Sequence, residues 1–496
     1  MLTRLKVNGF KNLVDVDVRF GPFTCIAGPN GVGKSNLLDA ITFMSALAEK
    51  PLHEAVLSVR DDGSRSGDLR TVFRRIGDKY SNEMTLEAEM IVPRKGYDDL
   101  GQEAEASITF LIYKIRLAYR DADGRGFGRI ELLHESLNHI NIGDAKKNLP
   151  FPHKPIWRAS AVQGRRTSAF ISTEIQGSNA PIIKVHQDSG SSGRARVLLA
   201  SSLPRTVVSA ADAAESPTAV LAKREMQSWR RLQLEPSALR RPDDFTAQNS
   251  LGSDGSHLPA TLYHLAKGQG IATNEEQSLE QMSEIYTRIA NRLSTLIDDV
   301  REVSVDRDER RELLTLTVSG RDRTPHAARS LSDGTLRFLA LGVLETDSRA
   351  QGVLCLEEPE NGIHPARVKA ILDLLSDIAT DTEEAVNDEN PLRQVIINTH
   401  SPVVVKEVDP GSLLVAESVP SSEGGIQSEK LRFSCMANTW RGNEVTVPIG
   451  RLLSYLNPVD ESVDHQAHRG DFPPVPQRHR VIDRVNEQLS LWEKTA

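Results

Sequence analysis

Residues 28 to 35 read Gly-Pro-Asn-Gly-Val-Gly-Lys-Ser, and these residue types at this spacing can hold a chain of phosphates. Gly28 and Gly33 are expected to take backbone conformations closed to residues with a Cβ, which turns successive N–H groups inward. Lys34 would neutralise the β- and γ-phosphates, and the Ser35 hydroxyl would be a magnesium ligand. With 33 glycines in 496 residues, a chance match has a likelihood on the order of a percent. The octapeptide therefore predicts a nucleoside triphosphate site.

The segments on either side of this loop support the prediction. Phe23 to Ala27 is a short apolar strand, and Leu37, Leu38, Ile41 and Met44 mark one face of a helix after the loop. A strand, a glycine-rich loop and a helix in this order bring the positive end of the helix to the phosphates.

A second chemical feature is a pair of carboxylates at the end of an apolar strand, Val353-Leu-Cys-Leu-Glu-Glu358. Magnesium and an attacking water must both be held beside the phosphates, and carboxylates can do both. By position, Glu357 would bind magnesium and Glu358 would orient or deprotonate the water. A strand that merely ends in solvated acids is the other interpretation, and the hexapeptide alone does not decide between the two.

Two weaker motifs complete the set. Ser332, Asp333 and Gly334 form a turn before a helix, and His400 closes another apolar strand, Gln394 to Ile397. Taken singly, a Ser-Asp-Gly turn is usually a helix cap, and a histidine after a strand is more often structural than catalytic. A phosphate loop, a Ser-x-Gly turn, a carboxylate strand and a strand-terminal histidine in this order are hard to obtain by accident.

The order of motifs resembles the ABC-type ATPase head of RecF, of SMC proteins and of the overcoming-lysogenization-defect (OLD) family, over about residues 1–50 and 310–410. The whole chain also looks like bacterial predicted ATPases of the AAA label, including the segments Glu235 to Arg240 and Gly252 to Leu258. The resemblance implies ATP and Mg²⁺ as cofactors. It also implies an α/β fold, a P-loop ABC-type ATPase head of mixed sheet and helices, with an antiparallel β lobe and an inserted helical region.

The resemblance further implies a role for each matching residue. Glu358 matches the catalytic glutamate and His400 the switch histidine, while Glu360 to His364 falls where a dimer-contacting D-loop is expected. Ser332, Asp333 and Gly334 match the signature motif, which contacts ATP bound to a second head. The Walker A loop supplies the nucleotide-binding residues, which are Gly28, Asn30, Gly31, Gly33, Lys34, Ser35 and Asn36.

The chain departs from the family at Glu357, where aspartate is usual. One extra methylene moves this carboxylate outward, which puts direct magnesium coordination in doubt. The glutamine loop of the family is not placed by the sequence.

The domain boundaries follow from changes in pattern. Strands at 14–20, 84–91, 107–119 and 181–186 predict an antiparallel sheet, with 14–20 in a hairpin with 5–10, and 187–194 reads as a flexible loop. Apolar spacing from Leu279 to Leu296 predicts a helix packed on the core. The predicted divisions are an N-terminal half of the head with its lobe, a helical insertion, a C-terminal half of the head and a tail of unknown role, at residues 1–209, 210–300, 301–410 and 411–496.

Composition sets limits on these predictions. A net charge of −8 neither supports nor excludes DNA, and basic clusters at 70–75, 165–166, 224–231 and 240–241 are the candidates for phosphate contact. No apolar run approaches membrane-spanning length and the start of the chain lacks a secretory hydrophobic region, so a cytoplasmic protein is expected. Three cysteines without a CxxC pair are expected to be inert core residues.

Three functions are compatible with these patterns. In the first, ATP-dependent pairing of two heads controls a partner effector, a nuclease or a toxin, as related ATPases do in the Septu and PARIS antiphage systems. The chain itself shows no metal-dependent nuclease pattern after His400. In the second, a RecF-like repair ATPase grips DNA. In the third, the chain is a nucleotide-gated scaffold with negligible turnover.

Overall fold

The computed structural model describes residues 1–59, 68–121, 128–176, 180–188, 195–268, 275–297, 299–423, 426–441 and 446–447. All of these residues belong to one compact unit, Met1–Asn457. The predicted loop at 187–194 lies mostly outside the described residues.

The core sheet has seven strands in the order β14-β19-β20-β3-β21-β22-β23. The first five are parallel to one another, β21 and β22 form an antiparallel hairpin, and β23 is parallel to β22. The strands are β3 (Phe23–Ala27), β14 (Arg230–Leu232), β19 (Gly352–Glu357), β20 (Arg393–Thr399), β21 (Leu413–Glu423), β22 (Ile426–Met436) and β23 (Thr446–Val447).

The core sheet is covered on both faces, which explains why its strands read as continuous apolar runs. On β19, Val353 and Cys355 pack with the lobe, whereas Leu354 and Leu356 pack with the helices on the opposite side. The three cysteines are buried, as predicted, and none forms a disulfide with another described residue. Burial raises the pKa of the Cys355 thiol to about 12, so this thiol is inert at neutral pH.

The lobe is an eight-stranded antiparallel sheet in the order β13-β12-β11-β10-β9-β6-β1-β2. The predicted hairpin is confirmed, since Leu5 pairs with Val18. The strands are β1 (Leu2–Asn8), β2 (Val16–Arg19), β6 (Glu83–Ile91), β9 (Phe110–Arg120), β10 (Arg129–His139), β11 (Ile171–Gln176), β12 (Ala180–Val185) and β13 (Arg196–Leu199). Two small hairpins flank it, β4 (Arg75–Ile76) with β5 (Lys79–Tyr80) and β7 (Lys95–Tyr97) with β8 (Glu103–Glu105).

A third sheet stands beside the helices and is antiparallel. It consists of β15 (Asp243–Asp244), β16 (Glu302–Asp308), β17 (Leu313–Ser319) and β18 (Pro325–Ala327). The helices are α1 (Lys34–Leu47), α2 (Leu52–Leu57), α3 (Ala145–Asn148), α4 (Pro155–Ala161), α5 (Pro217–Gln227), α6 (Pro236–Leu239), α7 (Leu258–Lys267), α8 (Glu275–Leu296), α9 (Asp333–Thr346), α10 (Val368–Ile378) and α11 (Pro402–Glu407). Among the described helices, none combines the length and the apolar character needed to cross a bilayer.

The α/β fold with an antiparallel lobe is confirmed, and two regions differ in detail from the prediction. Region 210–300 contains the helices α5 to α8, but also β14, which is the edge strand of the core sheet next to β19. β14 has three residues, which is too few for the alternation typical of a strand to be recognised in the sequence. The region after residue 410 is more than a tail, because β21 pairs with β3 and β22 continues the same sheet.

Candidate nucleotide-binding and catalytic site

The carboxyl ends of the parallel core strands meet at one edge, where ligands bind in such sheets. β3 leads into the phosphate loop, β19 ends at Glu357, and β20 ends at Thr399, directly before His400. Only β20 separates β19 from β3. Three of the four motifs therefore lie along one edge of one sheet.

The phosphate loop has the backbone that an anion cradle needs. Gly31 and Gly33 have φ angles of 78° and 105°, in the region that favours glycine. Gly33 is the N-cap of α1, and neither a side-chain cap nor an acidic residue occupies this helix end. The first N–H groups of a helix lack intrahelical partners and attract anions. The N-terminus of α1 is thus suited to phosphate.

Gly28 is required for a different reason from the one expected. Its φ is not positive, but a Cβ at this position would lie 2.5 Å from the carbonyl oxygen of Ala416 on β21. At Gly33, a Cβ would lie 2.2 Å from Nδ2 of Asn12. Gly28 therefore makes room for a neighbouring strand, whereas Gly33 combines lack of space with a positive φ.

Lys34 directs its ammonium back over the phosphate loop. Its Nζ donates to the carbonyl oxygens of Gly28 at 2.7 Å and Pro29 at 2.8 Å. Burial lowers the pKa of this ammonium, and nearby carboxylates, Glu358 foremost, oppose that shift. Phosphate oxygens are stronger acceptors than carbonyl groups. A bound triphosphate can therefore take over the Lys34 ammonium from the loop.

Asn12, in the turn after β1, braces the phosphate loop from the lobe. Its Nδ2 donates to the carbonyl oxygen of Val32 at 2.9 Å, and its Oδ1 accepts from Nδ2 of Asn36 at 2.8 Å. Asn36 is thus held by Asn12 in the first turn of α1. The sequence offered no signal for Asn12, because an asparagine in a turn between two strands is common.

Glu358 and His400 form a close pair across neighbouring strands. Nδ1 of His400 lies 2.6 Å from Oε1 of Glu358, and Nδ2 of Asn361 donates to Oε2 of Glu358 at 2.7 Å. The N–H of Glu358 donates to the carbonyl oxygen of Asn398 at 3.0 Å. Glu358 has a φ of 46°, which is uncommon for a residue with a side chain and is concentrated at functional sites. The structure brings together the predicted catalytic glutamate and the predicted switch histidine.

Glu357 is held by Arg231, which belongs to a basic cluster that the sequence offered for phosphate contact and not for a carboxylate. Nη2 of Arg231 lies 2.9 Å from Oε2 of Glu357, and Nη1 of Arg231 donates to Oδ1 of Asp39 at 3.0 Å. The other oxygen, Oε1 of Glu357, is buried without a hydrogen-bond partner in the described part of the chain. A buried acceptor without a partner is costly unless a ligand satisfies it.

A third carboxylate, Glu360, lies nearby and is 8% exposed. Its Oε1 accepts from the Thr399 hydroxyl, and burial raises the pKa of its carboxyl group. Glu360 is therefore a buried anchor between the segment after β19 and the end of β20.

The residues present fit a magnesium ion that is bound mainly through the nucleotide. Across the described ranges, no three His, Cys, Asp or Glu side chains lie close enough to hold a metal on their own. Mg²⁺ in phosphate-transfer sites keeps several waters and takes only one or two protein oxygens. The half-buried Ser35 in the first turn of α1 and Oε1 of Glu357 suit that role.

The Ser-Asp-Gly turn lies at the start of α9. Ser332 caps the helix by accepting from the Thr335 N–H at 3.2 Å, and Asp333 is paired with Arg240. Ser332 and Asp333 are exposed, and in the part of the chain that the structure describes neither bonds to its own phosphate loop. Within one chain the turn is a helix cap, and its exposed side stays open to a second chain.

The turn also contacts the segment that follows the carboxylates. The side chain of Ile363 is the nearest neighbour of Gly334, at 3.5 Å from where a Cβ would lie, and Arg337 on α9 donates to the carbonyl oxygen of Asn361. Because Asn361 also donates to Glu358, a continuous line of contacts joins α9 to the Glu358 carboxylate.

Two features of this edge had no sequence motif. Gln233 directly follows β14, whose Leu232 pairs with Leu356 of β19, so Gln233 stands beside Glu357 at the strand ends and is exposed. The β21–β22 hairpin continues past Val415, the partner of Ala27, and flanks the phosphate loop. A groove of about 590 Å³ separates hairpin and loop.

Two family models match the chain in separate stretches. Residues 1–98 match the RecF/RecN/SMC N-terminal domain. Residues 200–406 match a family described as AAA domain, putative AbiEii toxin, Type IV TA system. The first stretch carries the phosphate loop, and the second carries the signature turn, the carboxylates and His400.

Relatives of known name match only short segments. An OLD nuclease of Thermus scotoductus is 54% identical over 41 residues, which is 8% of either protein. The DNA replication and repair protein RecF of Magnetococcus marinus is 49% identical over 45 residues, or 9% of this chain and 12% of RecF. The chain therefore aligns with a small part of each relative's length, and their whole activities do not transfer by this likeness.

Among solved structures, an SMC head bound to the C-terminal winged-helix domain of ScpA is similar to this chain, and the alignment covers 88% of this chain and 98% of the SMC head. Its TM-score is 0.44 at 13% identity, values too low to carry residue correspondences. The family matches and the short relatives show that parts of this chain are similar to RecF, SMC and OLD proteins, which supports the predicted ABC-type ATPase head.

Proposed function

We propose that this chain binds ATP with Mg²⁺ and hydrolyses the bond between the β- and γ-phosphates. The observation that carries the proposal is the pair of Glu358 and His400 at the sheet edge that also holds the phosphate loop. A carboxylate that only ends a strand usually points into solvent. The Glu358 carboxylate is instead held by His400 and by Asn361, and the backbone of Glu358 has a positive φ. That degree of fixation is what positioning a water requires.

The residues divide the work as follows. The N–H groups of residues 31 to 35 and the Lys34 ammonium would hold the β- and γ-phosphates. Ser35 and Glu357 would hold the magnesium ion, which would supply positive charge beside those phosphates. Glu358 accepts a proton from the water as its oxygen bonds to the γ-phosphorus and the bond to the ADP oxygen breaks. His400 keeps Oε1 of Glu358 in place during that transfer. We assign Gln233 to the glutamine-loop position of the family.

We further propose that ATP joins two copies of the head. The γ-phosphate needs donors on every side once it is shielded from water. The hydroxyl of Ser332 and the N–H of Gly334 from a second copy can supply them, because this turn is exposed and uses only one face as a helix cap. Hydrolysis would then remove the ligand that favours closure. The contacts from Gly334 to Ile363 and from Arg337 to Asn361 would report closure to Glu358.

The output of closure is proposed to be control of a partner effector, a nuclease or a toxin, in antiphage defence. The matching family description names a toxin–antitoxin system, and one relative is an OLD nuclease, which supports this class of output. The scaffold alternative, with negligible turnover, lacks a reason for the elaborate fixation of Glu358.

A RecF-like DNA-binding ATPase is the second candidate, because RecF is among the relatives. The basic clusters favour it less than the sequence suggested. Their cations are mostly used within the chain, in the pairs Arg70 with Asp68, Arg166 with Asp188, Arg224 with Asp99, Arg231 with Glu357 and Arg240 with Asp333. A cation that is already paired contributes little to phosphate binding.

The deciding experiment combines phosphate release with light scattering on wild type and Glu358→Gln. We expect wild type to release phosphate and the variant to bind ATP, release almost none and double its mass with ATP and Mg²⁺. Equal phosphate release by both proteins would refute the catalytic role. An unchanged mass would refute ATP-dependent pairing. A Ser332→Arg variant that loses ATP binding as an intact dimer would contradict the contact across copies.

A further inference from the structure

Four charged side chains of alternating sign form a line that ends at the carboxylate of Glu357. Lys11 Nζ lies 2.7 Å from Oδ2 of Asp39, Nη1 of Arg231 lies 3.0 Å from Oδ1 of Asp39, and Nη2 of Arg231 lies 2.9 Å from Oε2 of Glu357. We call these four residues the ion network. Their side chains are only 15%, 3%, 21% and 23% exposed, in chain order.

The ion network joins three separate parts of the fold. Lys11 follows β1 in the lobe, Asp39 lies on α1 behind the phosphate loop, and Arg231 lies on β14 next to the carboxylate strand. Removing one member of a largely buried ion pair leaves the other charge uncompensated, which is far costlier than losing a surface pair. The geometry of Glu357 is therefore coupled to the helix that presents the phosphates.

The two oxygens of Glu357 have different surroundings. Oε2 is held by Arg231, while Oε1 is buried with no hydrogen-bond partner in the described ranges. A glutamate has one more rotatable bond than an aspartate, and that freedom costs free energy whenever the carboxylate must stay in one place. The planar guanidinium reaches Asp39 and Glu357 together, which a lysine ammonium cannot do with the same geometry.

We infer that Arg231 is a positioning residue that adapts the longer Glu357 to magnesium. It holds Oε2 and thereby leaves Oε1 as the one oxygen of Glu357 for the ion that accompanies ATP. Asp39 shares the charge of Arg231, so a cation is not repelled from the neighbouring carboxylate. The inference rests on the proposed binding of ATP and magnesium. It predicts that Arg231 matters for the metal and not for the nucleotide alone.

The test measures metal and nucleotide binding separately. Mn²⁺ is the probe for the metal, and its free fraction is followed by electron paramagnetic resonance with a non-hydrolysable ATP analogue. The same analogue is titrated in chelator to measure metal-free binding. We expect Arg231→Met to weaken Mn²⁺ about tenfold, as loss of a residue that orients a ligand does. Metal-free binding should stay within about twofold.

A compensating substitution separates positioning from folding. Aspartate is shorter and needs less restraint, so the double variant Arg231→Met with Glu357→Asp is expected to bind Mn²⁺ within about threefold of Glu357→Asp alone. Arg224→Met is the matched control, because Arg224 is paired with Asp99 away from the phosphate loop and should not affect Mn²⁺.

Each other outcome has a defined meaning. Unchanged Mn²⁺ affinity in Arg231→Met would overturn the inference and leave the proposed function standing. An equal loss of metal-free binding, or no recovery in the double variant, would assign Arg231 a purely structural role. A wild-type chain that fails to bind the analogue even in chelator would instead overturn the proposed function itself.

Discussion

His400 and Glu358 are 42 positions apart in the chain, yet Nδ1 of His400 lies 2.6 Å from Oε1 of Glu358. The contact arises because β19 and β20 are parallel neighbours and end at the same edge, where Glu357 pairs with Asn398. A histidine in this position can hold the carboxylate in one orientation. The pair is the basis for the first prediction.

Replacing His400 with alanine should uncouple catalysis from binding. Glu358 would lose one of its fixing contacts, so we expect kcat for ATP to fall roughly 100-fold, while nucleotide affinity changes less than about threefold. Steady-state phosphate release and fluorescent-nucleotide titration measure the two quantities. His53→Gln is the control, because His53 is an exposed histidine on α2. A proportional loss of affinity in His400→Ala would show that the histidine binds nucleotide instead.

The glycines of the chain should differ in their tolerance of alanine. Gly28→Ala would place a Cβ 2.5 Å from the Ala416 carbonyl oxygen, so β21 or the phosphate loop must move. We expect a loss of about 1–3 kcal/mol in the free energy of unfolding and a clear loss of nucleotide affinity. Gly143→Ala is the control, since Gly143 has no positive φ and no neighbour within 4 Å. Urea denaturation compares the two, and equal midpoints would contradict the close approach of β21.

Glu135 should make the stability of the lobe depend on pH. This residue of β10 is fully buried, its oxygens accept from the N–H groups of Val207 and Val208, and burial raises its pKa to about 7. Because the folded state raises the pKa of Glu135 above its unfolded value of 4.5, protonation of this group favours the folded state. Its contribution to stability is fully present below pH 4.5 and is lost as pH rises through 7.

The comparison with Glu135→Gln isolates this effect, because other groups titrate alike in both proteins. We expect the free energy of unfolding of wild type, minus that of the variant, to fall by roughly 3 kcal/mol between pH 4.5 and pH 8. Urea titrations at several pH values measure it. A difference that rises with pH would mean that the two backbone hydrogen bonds outweigh burial.

DNA binding by the isolated chain should be weak and strongly reduced by salt. The paired arginines are not available, whereas Arg165 and Arg241 are exposed and have no ion-pair partner among the described residues. If duplex DNA binds, the double variant Arg165→Gln with Arg241→Gln should make the negative slope of log affinity against log salt less steep, by about 1 to 2. Arg166→Gln should leave the slope unchanged. Tight binding at 200 mM salt would favour the RecF-like candidate.

The sequence by itself determined the phosphate loop, the strand before it and the helix after it, because this chemistry depends on residues that are adjacent in the chain. The octapeptide at 28–35 needs no distant contact to be recognised. The carboxylates Glu357 and Glu358 and the histidine His400 were also predicted, since each closes a strand of continuous apolar residues that must be buried on both faces.

Only the tertiary structure decided which side chains meet at that edge. Arg231 lies on a three-residue strand inside a region that otherwise forms helices, so no local period indicates that it reaches Glu357. Position 28 must be glycine because the backbone of Ala416, almost 400 positions later in the chain, lies against it. This contact follows from the pairing of β21 with β3, which the partly polar sequence after residue 410 does not predict. Such contacts depend on strand order, and strand order is a property of the whole fold.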